Sequence, residues 1–430
     1  MNSKSAHTGC FVYITLPGAT EAVIAARFEL TTNRSGVPLG RLVYGKSYLA
    51  RRDALAFDPV ELTLGPRTYE TTMMKGVFGA LRDASPDSWG RRLIERHAGK
   101  SPLSELDYLL ESPDDRAGAL SFGLGQQPPA PRRKFNQTIA LAKLQAIADA
   151  IVNDEELPHD PEVTQAGELL LVGTSMGGAR PKAVVEDDQG LWIAKFNRLD
   201  DRWNCARIEH AMLALARTCS VTTVESKVVS IGARDVLLVK RFDRERTQAG
   251  YRRARMVSAL TLLRTDDSPQ LRENWSYVLL AEELRRVSAE PKKDATELFR
   301  RMGFSALVSN TDDHPRNHAI IAKGQDWKLS PAYDLVPMQQ VSLEHRDLAM
   351  ICGDQGRVAN ATNLVSQAAR FLLSNDEAKS IVEAMKERVK GTWYEVARSV
   401  GVSERDCERI SDAFAYPGFD LERVQSVDGN

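Results

Sequence analysis

The spacing of hydrophobic positions changes along the chain, and the change predicts two kinds of structure. In the first half, short apolar runs alternate with polar positions and predict β-strands at Cys10–Ile14, Ala22–Ala25, Gly40–Tyr44 and Leu191–Phe196. Beyond Arg252, apolar residues recur mainly at helical spacing, almost to the C-terminus. The chain is therefore expected to be mixed α/β at first and mostly α-helical afterwards.

Three helices and one linker are predicted within the α/β part. Ser85 is a suitable N-cap and Pro86 a suitable first residue for a helix that continues to His97. Two further helices are predicted at 138–152 and 204–217. The segment 125–137 is rich in Pro and Gln and predicts a linker or a long surface loop. These features indicate three domains, at 1–125, 126–245 and 246–430.

Composition narrows the class of protein without defining a function. The 430 residues include 57 Lys and Arg against 58 Asp and Glu, so only a local basic patch could favour nucleic acid. Five cysteines without C-x-x-C spacing indicate free thiols in a reducing compartment. No signal peptide is evident and no apolar run approaches the ~18 residues of a membrane span, so a cytoplasmic protein without membrane contact is expected.

The stretch "VSNTDDHPRNHAII" carries the most specific chemistry. Asp312 precedes Asn317 by five residues, the D-x-x-x-x-N spacing in which the Asp accepts a hydroxyl proton and the Asn binds magnesium. Asp334 follows an apolar run, where a second magnesium ligand is expected. The intervening residues 318–334 predict a β-hairpin that would bring Asn317 and Asp334 together.

Residues suited to bind phosphate precede this stretch. A loop is predicted where Gly residues let backbone N–H groups approach an oxyanion, at Gly173, Thr174, Ser175, Met176, Gly177 and Gly178. Lys195, on a predicted strand, resembles the lysine that pairs the α and β phosphates, and Glu209 could hold it. Lys182 is a second candidate phosphate ligand. For both Glu209 and Lys182, a solvated surface residue is the equal alternative.

The string "LEHRDLAMIC" contains the letters of a kinase catalytic loop, but it does not fit that role. Cys352 stands five residues after Asp347, and sulfur cannot replace Asn as an oxygen ligand for magnesium. Asp347 also follows Asp334, whereas a catalytic base precedes the metal-binding Asp. His345, Arg346 and Asp347 are therefore predicted to form a charged turn before a strand or helix at 348–351.

The chain resembles the HipA family of bacterial serine/threonine-kinase toxins over nearly its whole length. The motifs that carry the resemblance are "FGALRDASPDSWGRRL", "DDRAGALSFG", "SMGGARPKAVV", "LWIAKF", "VLLVKRFDR", "SNTDDHPRNHA" and "LSPAYDL". The resemblance implies an α+β, two-lobed protein-kinase-like fold. It also implies an extra N-terminal α/β subdomain at 1–125, an N-lobe at 126–245 and a mostly helical C-lobe at 246–430.

The resemblance further implies use of ATP and Mg²⁺ and assigns residue roles. Asp312 would be the catalytic base, Asn317 and Asp334 the magnesium ligands, and Lys195 the ligand of the α and β phosphates. The adenine would bind at the hinge from Lys240 to Phe242, with Asp243 near the ribose, and His314 is a further nucleotide-binding candidate. Ser175, or alternatively Thr174, would be autophosphorylated, and roughly two added negative charges would expel the loop and inactivate the enzyme.

The implied function is that of the toxin in a type II toxin–antitoxin pair. Its substrate would be a protein, an aminoacyl-tRNA synthetase, and its partner a HipB-like helix-turn-helix antitoxin that contacts operator DNA. No fused antitoxin is evident, and 392–410 is predicted to form packed helices rather than a DNA-binding motif. Two alternatives stay open: an inactive co-repressor, and a kinase of a small molecule or lipid.

Overall fold

The computed structural model describes residues 7–130, 136–137, 141–155, 180–338 and 342–420. These residues contain twelve α-helices and fifteen β-strands. Two compact units are formed from separated chain segments. The sheet unit comprises Met1–Arg202, Val224–Asp266 and Ala319–Ser330, and the helical unit comprises Trp203–Thr223, Asp267–His318 and Pro331–Asn430.

The first sheet of the sheet unit is antiparallel, with the strand order β4-β3-β2-β1-β5. Alternation along the third strand buries Leu42 and Tyr44 and exposes Arg41 and Val43, as expected of a sheet with one covered face. The three strands predicted in this region are confirmed, with bounds β1 Gly9–Thr15, β2 Ala22–Thr32 and β3 Pro38–Tyr44. Two strands that were not predicted, β4 Thr68–Thr71 and β5 Leu120–Gly123, complete the sheet. The accompanying helices are α1 Lys46–Leu49, α2 Gly79–Asp83, α3 Ser88–Ala98 and α4 Glu105–Glu111.

Helix α3 begins later than predicted. Its N-cap is Asp87 instead of Ser85, because the Asp87 carboxylate accepts the Gly90 N–H at 2.7 Å. A carboxylate at this position satisfies an otherwise unpaired N–H and also interacts favourably with the helix dipole. The helix ends at Gly99, whose φ of 61° lies in the left-handed region that favours glycine.

The second sheet has the order β6-β7-β8-β10-β9, and only the β6–β7 pair is parallel. Its bounds are β6 Asn136–Gln137, β7 Lys182–Asp187, β8 Gly190–Phe196, β9 Ser226–Ile231 and β10 Arg234–Lys240, with α5 at Leu141–Val152. One face packs Ala183, Trp192 and Val236 against Trp89 of α3 and Leu144 of α5. Because Ala183 pairs with Ala194 on that face, the next pair, Lys182 and Lys195, belongs to the opposite face.

A third sheet and a two-stranded ribbon complete the sheet unit. The ribbon consists of β11 Arg244–Thr247 and β12 Gly250–Arg253, and the sheet of β13 Arg255–Ser258, β14 Ala319–Ala322 and β15 Lys328–Leu329, with α7 at Ala259–Leu262. Strands β14 and β15 pair antiparallel through Ile320 with Leu329 and Ile321 with Lys328. The hairpin predicted within 318–334 is therefore confirmed.

A buried ion-pair cluster centred on Arg241 connects distant segments of the sheet unit. Its guanidinium lies 2.7 Å from Asp115 and 2.9 Å from Asp243, and Arg244 lies 2.7 Å from Asp243. The Gly118 N–H donates to Asp243 at 3.0 Å, and Gly118 has a φ of 76°, which glycine adopts without strain. Residues of the first and second predicted domains thus meet in one cluster, and the boundaries at 125 and 245 stay a prediction.

The charges of the cluster balance one another. Burial alone would raise the pKa of Asp115, but Arg241 and Arg244 hold it below its usual range. The same competition, with Arg241 the strongest favourable partner, holds the pKa of Asp243 well below its usual range. Both carboxylates are therefore ionised at neutral pH, and each depends on the guanidiniums beside it.

The described part of the helical unit contains six α-helices. Their bounds are α6 Cys205–Thr218, α8 Tyr277–Val287, α9 Pro291–Leu307, α10 Ala361–Ser366, α11 Asn375–Ser399 and α12 Glu404–Ile410. Helix α11 packs against α6 and α9, and its start is fixed by a capping box between Ser374 and Glu377. Val402 and Cys407 are buried beside it, which agrees with packed helices at 392–410. Among the described residues, no helix is long and apolar enough to cross a membrane.

The Arg241 cluster gives a stability prediction. Asp115→Ala should reduce the free energy of unfolding by roughly 3–5 kcal/mol, because it leaves a buried guanidinium without its partner. Glu70→Ala is the control, since it breaks an exposed pair with Arg41 and should change stability by at most about 1 kcal/mol. Urea denaturation measures both, and equal small losses would contradict the role given to the cluster.

Candidate active site

The predicted catalytic loop lies in the helical unit, directly after α9. The loop turns at Ser309, whose φ is 53°, and continues into a 3-10 turn at Pro315–Asn317. Proline suits the start of this turn because the first N–H needs no partner there. The Asp312 side chain is exposed, and the Asn317 amide donates to the Asp312 backbone carbonyl at 3.3 Å. The loop therefore presents one accessible carboxylate next to a fixed amide.

Asp334 acts on Asp312 electrostatically. Although Asp312 is solvent-accessible, the protein atoms around its carboxylate partly desolvate it and raise its pKa; the nearby carboxylates of Asp334 and Asp313 raise the pKa further, while His314 opposes them. Asp334 has a φ of 60°, a conformation that is costly outside glycine and is concentrated at functional sites. Next to it, Tyr333 donates to the Arg316 carbonyl at 2.8 Å and so ties this segment to the loop. The structure thus brings Asp312, Asn317, His314 and Asp334 together within one unit.

The neighbouring carboxylate, Asp313, faces the interior. It is 1% exposed and accepts hydrogen bonds from the Tyr277 hydroxyl and, at 2.9 Å, from Ser305. His318 Nε2 lies 3.1 Å from Asp313 Oδ1. Burial alone would raise the pKa of Asp313, but His318 and the two hydroxyl donors hold it below its usual range. The sequence analysis did not identify Asp313 as a buried residue that anchors the loop. The feature that could have indicated it is Ser305, a polar residue among the apolar residues of α9.

The "HRD" string has a structural role that differs in part from the predicted one. Arg346 is 2% exposed, stacks over the Tyr416 ring at 4.2 Å and donates to Ser309 Oγ and to the Asp412 carbonyl, the latter at 2.6 Å. It is therefore a buried anchor and not part of a solvated turn. Asp347 is exposed and paired with His345 at 3.0 Å. Of residues 348–351, Ile351 alone forms an isolated bridge, with Ser276, so the predicted strand or helix is wrong.

Some of the phosphate-binding candidates lie outside the described residues, and others lie within them. Those outside are the whole glycine-rich loop, Gly173, Thr174, Ser175, Met176, Gly177 and Gly178. Lys195 is half-buried on β8, as predicted for its strand. Lys182 is 2% exposed and its ammonium lies 2.7 Å from the Asp87 carboxylate, so the solvated alternative is wrong. Glu209 on α6 is also buried, which excludes the surface alternative for that residue. Their roles at phosphate stay predictions.

The hinge candidates lie in the sheet unit, at the end of β10. Lys240 pairs with Glu225 at 2.6 Å, and Phe242 and Asp243 line a shallow recess with Arg252 and Lys323. Both carboxylate oxygens of Asp243 are already engaged, one by Arg241 Nε at 3.0 Å and the other by Arg244 Nη1 at 2.7 Å. The predicted contact of Asp243 with ribose finds no support in this geometry and stays a prediction.

The donor set of the loop fits magnesium that is shared with a substrate. Among the described residues, no group of three or more His, Cys, Asp or Glu could hold a metal ion by itself. Mg²⁺ is usually held by one or two carboxylates, with phosphate and water oxygens completing the octahedron. Asp334 offers the carboxylate and Asn317 the amide oxygen, so the residues present fit a metal that arrives with a phosphorylated ligand.

Comparisons with known proteins define the class. The fold is mixed α/β and kinase-like, and it superposes with a TM-score of 0.69 on HipA from the Shewanella oneidensis toxin–antitoxin complex of HipA, HipB and operator DNA. The two share 17% identity, and the match covers 93% of this chain and 95% of that one. The family model for the HipA-like C-terminal domain matches residues 174–393, half of the chain. The chain therefore belongs to the HipA family.

Two curated relatives match over shorter regions. "Putative kinase Y4mE" of Sinorhizobium fredii is 32% identical over 133 residues, which cover 29% of this chain and 30% of that protein. A "Putative kinase" of Haemophilus influenzae is 24% identical over 185 residues, or 38% of this chain and 52% of that protein. The matched regions thus span at most about half of these relatives.

Asp312 and Asp347 each lie in a stretch that resembles part of a kinase catalytic loop, and the structure predicts that they differ in function. If Asp312 is the catalytic base, as its spacing to Asn317 predicts, Asp312→Asn should lower the rate of phosphoryl transfer by roughly 10²-fold or more. Asp347→Asn, which alters an exposed carboxylate paired with His345, should stay within a few-fold of the unchanged protein. Rates measured with labelled ATP distinguish the two, and an inactive Asp347→Asn variant would reverse the assignment.

Proposed function

We propose that this protein is an ATP- and Mg²⁺-dependent serine/threonine-protein kinase, the toxin of a type II toxin–antitoxin system. The observation that carries the proposal is the arrangement of the loop, in which an exposed Asp312 lies near Asn317 and Asp334. The buried Asp313 connects this segment to α9 through Ser305. Asp312, Asn317 and Asp334 are the set of groups that phosphoryl transfer to a hydroxyl requires.

In the proposed mechanism, Asp312 accepts the proton of a substrate serine or threonine hydroxyl. Its exposed carboxylate beside the fixed Asn317 amide is accessible to a substrate hydroxyl. Asn317 and Asp334 supply oxygen ligands, and bound Mg²⁺ supplies positive charge that neutralises the phosphates. Lys195 would hold the α and β phosphates, and the backbone from Lys240 to Phe242 would bind adenine.

The proposed partners follow from the family. The related Shewanella oneidensis structure contains HipA, HipB and operator DNA, which supports a HipB-like helix-turn-helix antitoxin that brings this chain to operator DNA. The proposed protein substrate is an aminoacyl-tRNA synthetase in the cytoplasm, whose phosphorylation would inhibit translation and arrest growth. Autophosphorylation at Ser175 would inactivate the enzyme by placing negative charge in a loop meant to bind phosphate.

Two other functions remain as alternatives. An inactive co-repressor would need no catalytic side chains, yet Lys195, Asp312, Asn317 and Asp334 are all present. Their presence favours catalysis over repression alone, and the two roles are compatible in one protein. A kinase of a small molecule or lipid would use the same loop, and only the identity of the phosphate acceptor distinguishes it.

Incubation with labelled ATP, Mg²⁺ and a bacterial lysate tests the proposal. The unchanged protein should label one synthetase-sized band and itself, and Asp312→Asn should label neither. Ser175→Ala should remove most of the self-labelling, while Thr174→Ala, its neighbour, should retain it. No transfer to any acceptor would overturn the kinase proposal in favour of co-repression, and transfer confined to the lipid or small-molecule fraction would overturn the protein substrate.

A further inference from the structure

The contacts of the buried Asp313 carboxylate come from two different sources. Tyr277 of α8 and Ser305 of α9 connect it to the helical framework. His318 comes from the far end of the catalytic loop itself, and its Nε2 lies 3.1 Å from Asp313 Oδ1, an ion-pair distance at which the two atoms are not aligned for a hydrogen bond. The Tyr277 ring packs edge-on against the imidazole, with the ring centroids 5.5 Å apart. The imidazole is thus held between a carboxylate and an aromatic ring.

The Asp313–His318 contact closes a small ring of chain. The enclosed residues are His314 to Asn317, so the ring contains the whole 3-10 turn and the predicted metal-binding amide. Both residues that close it are almost fully buried, at 1% and 3% exposure, so water does not compete strongly for either. Inside, the Asn317 N–H donates to the His314 carbonyl at 2.9 Å, and the Asn317 amide reaches back to Asp312.

We propose that Asp313 and His318 form a clasp that holds the catalytic loop in its working geometry, with His318 a positioning residue for Asn317 and Asp312. The proposal rests on the kinase function proposed above. Asp313 alone fixes only the beginning of the loop, whereas the contact with His318 fixes both ends relative to each other. A small displacement of metal or base ligands is enough to lower a rate strongly, so such a clasp has a direct functional consequence.

Two variants with matched chemistry separate the clasp from simple stabilisation. His318→Phe keeps an aromatic ring against Tyr277 but removes the link across the loop. Tyr277→Phe removes a hydroxyl donor to the same carboxylate, yet that donor belongs to α8 and not to the loop. His318→Phe removes an ion-pair contact and Tyr277→Phe removes a hydrogen bond from the same buried carboxylate, so both variants should destabilise the fold. Only His318→Phe opens the clasp.

Hydrogen–deuterium exchange of the segment 312–318 is the first measurement, made on the full chain without nucleotide. In His318→Phe, exchange of these amides should become about tenfold faster relative to exchange in the core helices. In Tyr277→Phe, exchange in the segment and in the core helices should change by the same factor. The second measurement is the Mg²⁺ concentration that gives half-maximal phosphoryl transfer. It should rise about tenfold in His318→Phe and stay within about twofold in Tyr277→Phe.

The two measurements distinguish failure of the clasp from failure of the kinase function. Equal exchange in both variants, or an unchanged Mg²⁺ requirement in an active His318→Phe protein, would overturn the clasp. Absence of phosphoryl transfer by the unchanged protein would overturn the kinase function instead. In that case the exchange experiment still decides whether His318 fixes the loop.

Discussion

The structure of the sheet unit depends on the burial of Arg241. Its guanidinium is fully enclosed, and a buried charge is tolerated only when opposite charges and hydrogen bonds replace the water it has lost. Asp115 and Asp243 supply the charges, and the Arg116 carbonyl accepts a further hydrogen bond at 2.9 Å. The segment 114–118 therefore compensates the buried charge at the end of β10, and the N-terminal residues are an integral part of the sheet unit.

The same rule recurs at smaller scale at three other buried charged residues. Lys182 is paired with Asp87, Arg346 with backbone carbonyls and a hydroxyl, and Asp313 with two hydroxyls and an imidazole. In each case the charged residue faces inward and fixes the position of a segment. Charge in a motif is thus a poor guide to chemistry on its own, and exposure separates Asp312 from the residues that only hold the structure.

The features that could be predicted from the sequence are those determined by neighbouring residues, and the features that were missed depend on residues far apart in the chain. Strands followed from alternation, and the hairpin from two apolar runs around a turn, because both patterns are local. The start of α3 was misplaced because Asp87 competes with Ser85 within three residues. The burial of Lys182, Arg241 and Arg346 depends on partners 95, 126 and 67 residues away, and a single sequence contains no record of such pairs.

In the candidate site, one of two adjacent aspartates could be predicted from the sequence and the other could not. D-x-x-x-x-N spacing selected Asp312, but only the fold shows why its neighbour is needed. Asp313 is ionised because His318 and two hydroxyls compensate its burial. Its negative charge then adds to partial desolvation and to Asp334 in raising the pKa of the solvent-accessible Asp312. One carboxylate thus both anchors the loop and raises the pKa of the proposed base beside it, so that the two adjacent aspartates combine a buried anchor with an accessible carboxylate.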